Sequence, residues 1–383
     1  MVYLKLITTL SVAILWQVSA DVESISECPK LAPRTSAAKD VTDLRIDDIE
    51  VVAALGDSAM AGFAMMGVAK REETPGVVEF DFDFVREFRG NSYGIGGDDG
   101  AVTLANFIKY YNSNVSGAST SSHLVSLCYG PFCVPYLSRY RPAKDNFNAA
   151  QYGAIAMNLN YELDYLIPRM KSQFSSPEQY STAWKMITLQ IGSNDQCSSC
   201  NTVFSPFIHP DNYEMHIENA IQRIQKEIPR TVVHLLKNFK ISDVYQRTQN
   251  ETEYCKARLV SSRKFECDCF DTPDSVAGMD TYYDAYNKKL EAIAAKYSAE
   301  PGGTFAVMYS PSEVDVLSFP IDCFSNTDCF HPSLKAHQWL AKSYWNQLFF
   351  EASLKPSVMK FDPDLKIRCP TEQDRLHTTF TLL

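Results

Sequence analysis

The chain has 383 residues, 45% of them apolar, with 36 Lys and Arg against 46 Asp and Glu and a formal net charge of −10. The apolar share is enough for a sizeable core. The acidic balance argues against nucleic acid as a partner and against electrostatic adhesion to an anionic membrane.

The first twenty residues read as a secretory signal. Lys5 is their only charge, an apolar core runs from Leu6 to Trp16, and Val18-Ser19-Ala20 offers a small-residue cleavage site before Asp21. That core is short for a bilayer span, and no later stretch is long and apolar enough. The tail from Thr378 to Leu383 lacks a lipid-anchor signal. The expectation is an exported, soluble mature chain over 21–383, forming one domain with 35 basic and 46 acidic residues, a net of −11.

Within it, the apolar run Val51–Leu55 reads as a buried parallel strand that stops at Gly56-Asp57-Ser58. A serine on a tight turn at the carboxyl end of such a strand is where an open α/β sheet places its chemistry. The glycine-rich stretch from Arg89 to Gly100 lacks dinucleotide-type spacing and reads as a shaped loop needing positive φ. Residues 112–122 read as an exposed loop. They contain the glycosylation acceptor Asn114-Val115-Ser116, and Asn250-Glu251-Thr252 is a second.

Asp145 to Ala150 is a candidate second strand leading to Gly153, followed by a helix to about Ser172 that Pro168 bends. Trp184–Ile191 is the third strand, ending at Gly192-Ser193-Asn194-Asp195. Ile217, Ile221, Ile224 and Ile228 mark a helix from Tyr213, and Thr231–Leu236 is the fourth strand. Residues 246–275, rich in Cys and charge, read as a disulfide-clamped insertion. Tyr286, Leu290, Ile293 and Tyr297 mark another helix, Phe305–Tyr309 the fifth strand, and Pro332 opens a last helix to about Phe350. This alternation predicts a three-layer α/β/α domain around a parallel sheet of about five strands.

Eleven cysteines in an exported chain imply disulfides. Cys128/Cys133, Cys197/Cys200 and Cys323/Cys329 are plausible short bridges. Cys255, Cys267 and Cys269 form a cluster, Cys28 and Cys369 could tie the ends, and the odd count leaves a thiol over. Zinc is the competing reading of Cys197-Ser198-Ser199-Cys200, but a second pair at finger spacing is missing.

Ser58, Gly153 and Asn194 thus follow strand ends, and Asp328-Cys329-Phe330-His331 precedes the last helix. Acyl transfer needs this inventory: a hydroxyl, an imidazole to take its proton, a carboxylate to orient the imidazole, and donors for the oxyanion. The four blocks Gly56-Asp57-Ser58, Asn148 to Gly153, Gly192-Ser193-Asn194-Asp195 and Asp328 to His331 resemble, in order, those of the SGNH (GDSL-type) hydrolases. The flanks resemble the animal phospholipase B-like branch: Val51 to Ser58, Ile95-Gly96-Gly97-Asp98 with Thr103 to Asn106, Cys197 to Cys200, and Asp328 to Ser333. The resemblance implies Ser58 as nucleophile, His331 as base and Asp328 as its orienting carboxylate. It also implies an oxyanion hole from the N–H groups of Ser58 and Gly153 and the Asn194 amide. Ala59 in place of a leucine and Ser193 in place of a glycine remove no catalytic group and bear on the shape of the acyl pocket.

Taken singly, an Asn-Asp pair is a turn, and a histidine before a helix is a cap or surface residue. Asp195 is therefore expected to be a turn carboxylate and Asp322 a loop residue. His123, His209, His216, His234, His337 and His377 are expected at caps or the surface. The resemblance implies a secreted serine esterase acting on glycerophospholipids and lysophospholipids, at a membrane or micelle surface if one is involved. No cofactor is expected, and no metal, because no calcium-loop spacing appears. The same inventory could serve acetylated sugars or other small esters. An inert lipid-binding relative should have lost Ser58, Asn194 or His331, and all three are present.

Overall fold

The computed structural model describes residues 21–68, 85–257 and 266–381; the predicted signal segment lies outside them. The elements that position the site are β1 (Ile49–Gly56), α1 (Ser58–Ala61), α2 (Leu104–Tyr111), α3 (Leu159–Lys171), β2 (Trp184–Gln190) and α4 (Ser193–Cys197). They continue with α5 (Pro210–Glu227), β3 (Thr231–Leu236), α6 (Ile241–Thr248), α7 (Pro273–Lys296), β4 (Phe305–Ser310) and α8 (Leu334–Gln347).

The four strands form one parallel sheet in the order β1-β2-β3-β4, with Ala54 opposite Thr188, Thr188 opposite His234 and His234 opposite Met308. Alternation along each strand sorts its residues onto two faces. Val52, Ala54, Met186, Val232 and Met308 pack with α2 and α8. Val51, Ala53, Leu55, Ile187, Leu189, Val233 and Val307 pack with α3, α5 and the second half of α7. Both faces are covered, which is why the strands read as continuous apolar runs. All seven residues of β2 are buried, Lys185 among them. Its Nζ donates to the carbonyls of Tyr180, Ala183 and Pro229, and burial lowers its pKa to about 8.

The expected second strand, Asp145 to Ala150, is not a strand. Pro142–Asp145 forms a helical turn, Asn146 takes a positive φ of 47°, and the segment bridges β1 only at Ala54, whose N–H donates to the Phe147 carbonyl and whose carbonyl accepts from Ala149, before the Gln151 N–H donates to Gly56. Ser116 covers the other half of that edge opposite Val51. The sheet therefore has four strands, not five. The last helix begins at Leu334 with Ser333 as its N-cap, so Pro332 lies just outside it. Among the glycines from Gly90 to Gly100 only Gly100 has positive φ; a Cβ on Gly96 would lie 2.5 Å from the Gly90 carbonyl oxygen, so close approach shapes this loop.

The disulfides depart from local pairing. Cys28–Cys369 and Cys128–Cys133 form as expected, but the others are Cys197–Cys267, Cys200–Cys269 and Cys255–Cys329, leaving Cys323 as a buried thiol. Neither the Cys197/Cys200 nor the Cys323/Cys329 bridge exists. Both members of the first pair sit on one short helical stretch and face the Cys-rich segment instead. Residues 258–265 of that segment lie outside the described residues. The histidines also differ from expectation: His209 caps α5, whereas His123, His234 and His337 are buried. Burial lowers the pKa of His234 and His337 to about 3. Asn114 and Asn250 are exposed.

Candidate active site

β1 ends at Gly56, whose φ of 152° and contact with β2 admit no side chain; a Cβ there would lie 2.3 Å from the Gln190 carbonyl oxygen. The chain then turns sharply, and Asp57 caps α1 by accepting the Ala59 N–H at 3.0 Å. This sets Ser58 at the sheet's carboxyl edge, only 4% exposed. Its Oγ lies 2.7 Å from Nε2 of His331, and Nδ1 of the same ring lies 2.7 Å from Oδ2 of Asp328. The other oxygen of Asp328 accepts the N–H groups of Phe330 and His331 at 2.9 and 3.0 Å, so one carboxylate shapes the loop and orients the ring. Cys329, between them, takes a φ of 54°. Left-handed geometry is costly for a side chain other than glycine or asparagine, and the bridge to Cys255 holds it there. Phe63 meets the His331 ring edge-on at 4.8 Å, and Tyr152 leans over it at 6.0 Å.

Burial disfavours a charged imidazole, but Asp328, then Glu266 and Asp57, outweigh it and raise the pKa of His331 above its ordinary value. Asp57 is itself raised by burial. Glu266, Asp328 and His331 hold donor atoms within 4.8 Å of one another, the one such cluster among the described residues. Both ring nitrogens of His331 are already engaged, so a cation there would have to displace Ser58 or Asp328.

Gly153 and Asn194 line the same chamber as Ser58 and His331. Among the described residues the N–H groups of Ser58 and Gly153 donate to no protein acceptor. One amide hydrogen of Asn194 goes to the Ala154 carbonyl at 3.0 Å. Asp195 does not enter this arrangement. It is buried, accepts the Ala156 N–H with both oxygens, and burial raises its pKa to about 7. It ties the Gly153 segment to α4, the structural part expected of it.

Two chambers meet at Ser58 and His331. One, about 520 Å³ counting its open mouth, is walled by apolar side chains including Ile241, Val316, Phe319, Phe324 and Leu340, with Ala59 and Ser193 also in its lining. The other, about 900 Å³, is lined by polar groups including Tyr129, Asn201, Glu266 and Asp268. Both departures from the family pattern therefore touch the apolar chamber.

Several supporting residues were invisible to motif reasoning. Glu162 accepts the Gly56 N–H at 2.9 Å from within α3, and burial raises its pKa well above the carboxylate range. Arg89, fully buried between Glu87 and Asp145, donates to the carbonyls of Asn148 and Ala150 at 2.9 and 2.7 Å. It thereby fixes the approach to Gly153. A charge in a glycine-rich loop was the one available signal, and it looks like a solvated turn.

The family model described as GDSL-like Lipase/Acylhydrolase matches residues 52–343. Phospholipase B1, membrane-associated, of Mus musculus is 28% identical over 366 residues, 92% of this chain and 23% of that protein. Its Homo sapiens counterpart is 26% identical over 363 residues, 91% of this chain and 23% of that protein. The chain thus spans less than a quarter of the length of these curated relatives. A solved acetyl xylan esterase from Geobacillus stearothermophilus aligns with 78% of this chain and 96% of its own at 12% identity and a TM-score of 0.37, too distant to bear on substrate. No described helix is long and apolar enough to cross a membrane. The family match over most of the sheet and all four blocks makes this chain a member of the GDSL-like lipase/acylhydrolase family, similar to the animal phospholipases B.

Proposed function

We propose that the chain is an exported serine esterase that removes fatty acyl chains from glycerophospholipids and lysophospholipids. Ser58 Oγ attacks the ester carbonyl carbon while His331 Nε2 takes its proton, and Asp328 holds the Nδ1–H and steadies the imidazolium. The oxyanion is met by the N–H groups of Ser58 and Gly153 and the free amide hydrogen of Asn194. The tetrahedral intermediate collapses, the ester C–O bond breaks, and the leaving alcohol takes the proton from His331. Water, activated by the same ring, then attacks the acyl-Ser58 ester and releases the fatty acid. Five disulfides and two exposed glycosylation acceptors support passage through an oxidising compartment.

The observation that carries the substrate class is the apolar chamber beginning at Ser58. An acetyl group has no use for walls made by Ile241, Val316, Phe319 and Leu340, whereas an alkyl chain gains by leaving water along them. The polar chamber on the other side would take the glycerol and headgroup. Turnover of long-chain phospholipid against acetylated sugar tests this reading. Val316→Trp, which narrows the apolar chamber, is expected to slow long-chain ester turnover about ten-fold or more, on the scale of overpacking costs. Acetyl-ester turnover should change little; equal loss on both substrates would count against an acyl-chain site.

Because His331 must be neutral to accept the proton, kcat/KM should fall as pH drops through its raised pKa, above about 6.5. Glu266→Gln removes one of the charges holding that pKa up, so the acid limb should move to lower pH with the high-pH plateau little altered. Excess EDTA is expected to leave both profiles unchanged. A loss on chelation restored by calcium would overturn this metal-free mechanism, since Lewis-acid activation would then be at work.

A further inference from the structure

The loop between Ser116 and Asn148, the two coil contacts of β1, carries an unusual surface. Phe132, Val134, Tyr136 and Leu137 are 58%, 45%, 93% and 54% exposed, and Val203 is 64% exposed on the adjoining loop, whose Phe204 packs against Tyr129 and Phe132. Single exposed apolar side chains are ordinary, but a contiguous group marks an interaction surface. Poor packing does not explain it. The Cys128–Cys133 bridge closes the loop, the Gly130 N–H donates to Asn158 Oδ1 at 2.9 Å, and Asn158 Nδ2 returns a bond to the Gly130 carbonyl at 2.6 Å. Leu127 donates to the Leu137 carbonyl at 2.8 Å, while Leu137 and Ser138 both donate to the Val134 carbonyl at 2.8 and 3.0 Å. These backbone groups are satisfied within the protein, so the tip can enter an apolar phase without stranding them.

Charge and position point the same way. Although the whole chain carries −10, residues 124–144 contain no carboxylate and three cations, Arg139, Arg141 and Lys144. At the root of the loop, Leu127 and Tyr129 line the polar chamber that reaches Ser58. Arg141 is turned inward to His123 and Ser126 and Lys144 to the Ser122 carbonyl, which leaves Arg139 as the exposed cation of this stretch. An aromatic and aliphatic tip followed two residues later by an exposed cation suits the headgroup boundary of a phospholipid layer, where Tyr and Phe bury their rings and a cation stays with phosphate. A two-fold contact between copies of this chain through this loop would bring both Arg139 side chains to one interface.

We propose that this disulfide-closed loop is the docking surface for a phospholipid bilayer or micelle. Phe132, Tyr136 and Leu137 enter the interface and turn the polar chamber toward the lipid. The inference rests on the lipid-ester reading for its purpose, but binding can be measured without turnover. In the full chain carrying Ser58→Ala, sedimentation with phosphatidylcholine vesicles should show binding, and Phe132→Ser with Tyr136→Ser should weaken it about ten-fold or more. Arg139→Glu should weaken binding chiefly to vesicles that also contain phosphatidylserine. With Ser58 intact, the loop variants should keep wild-type turnover of a soluble short-chain ester and lose turnover on vesicles. Unchanged vesicle binding by the double variant would overturn the proposal. So would a wild-type dimer that the double variant dissolves, because the loop would then be a self-association face. A protein that binds vesicles through the loop and cleaves the soluble ester, yet no phospholipid, would uphold the docking surface and refute the lipid-ester reading.

Discussion

Ser58→Ala is expected to lower kcat by about 10⁴-fold or more in a protein that still folds, and His331→Ala by a similar factor. Ser58 is buried and, among the described residues, its Oγ makes one hydrogen bond, to His331 Nε2 at 2.7 Å. Losing that bond costs the fold only about 1 kcal/mol, whereas in the proposed mechanism the substitution removes the nucleophile outright. If the two residues act as one unit, the double variant should be hardly slower than either single one, because a nucleophile without its base is already idle. Asp328→Asn should cost somewhat less than either. Its retained oxygen can still accept the N–H groups of Phe330 and His331, so the loop should stand while the ring loses its anionic partner. The measurements are steady-state kinetics beside thermal melting, and covalent labelling by a fluorophosphonate. Wild-type turnover in a folded Ser58→Ala protein, or labelling that survives this change, would remove Ser58 from the mechanism.

What could be read in the sequence was whatever depends on local pattern. A strand buried on both faces is an uninterrupted apolar run, so the parallel sheet was visible in Val51–Leu55, Trp184–Ile191, Thr231–Leu236 and Phe305–Tyr309, each within a residue or two of an observed strand. A strand end is also where the chain must turn, which is why short polar blocks after those runs come together in space. The segment Asp145 to Ala150 misled because its apolar Ala149 and Ala150 are buried by a coil against β1, and burial alone does not distinguish coil from strand. The disulfides misled for a different reason. Spacing reports which cysteines are near in the chain, but Cys255–Cys329 and Cys197–Cys267 join segments 74 and 70 residues apart. Arg89 and Glu162 share that difficulty: each supports the site through a backbone group about 60 or 106 positions away. The two chambers are likewise products of packing, and no residue pattern along the chain outlines them.

Asn194→Ala is expected to lower kcat by about 10²–10³-fold with KM little changed. The Asn194 amide has two hydrogens, and among the described residues only one is committed, to the Ala154 carbonyl at 3.0 Å. That bond restrains the amide, and Asn194 lines the chamber shared with Ser58 and Gly153, where the proposed mechanism uses the second hydrogen. A carbonyl oxygen in the bound ester carries little charge, and the tetrahedral oxyanion carries a full one. A donor fixed beforehand therefore favours the transition state over the bound substrate, and its loss should appear in kcat. Asn194→Asp should be worse than Asn194→Ala, since a carboxylate would repel the developing oxyanion and offer no donor. A residue that merely tethered Ala154 would behave otherwise: both variants would lose melting temperature, and neither would separate kcat from KM. Unaltered kcat in a folded Asn194→Ala protein would leave the oxyanion to the two backbone N–H groups alone.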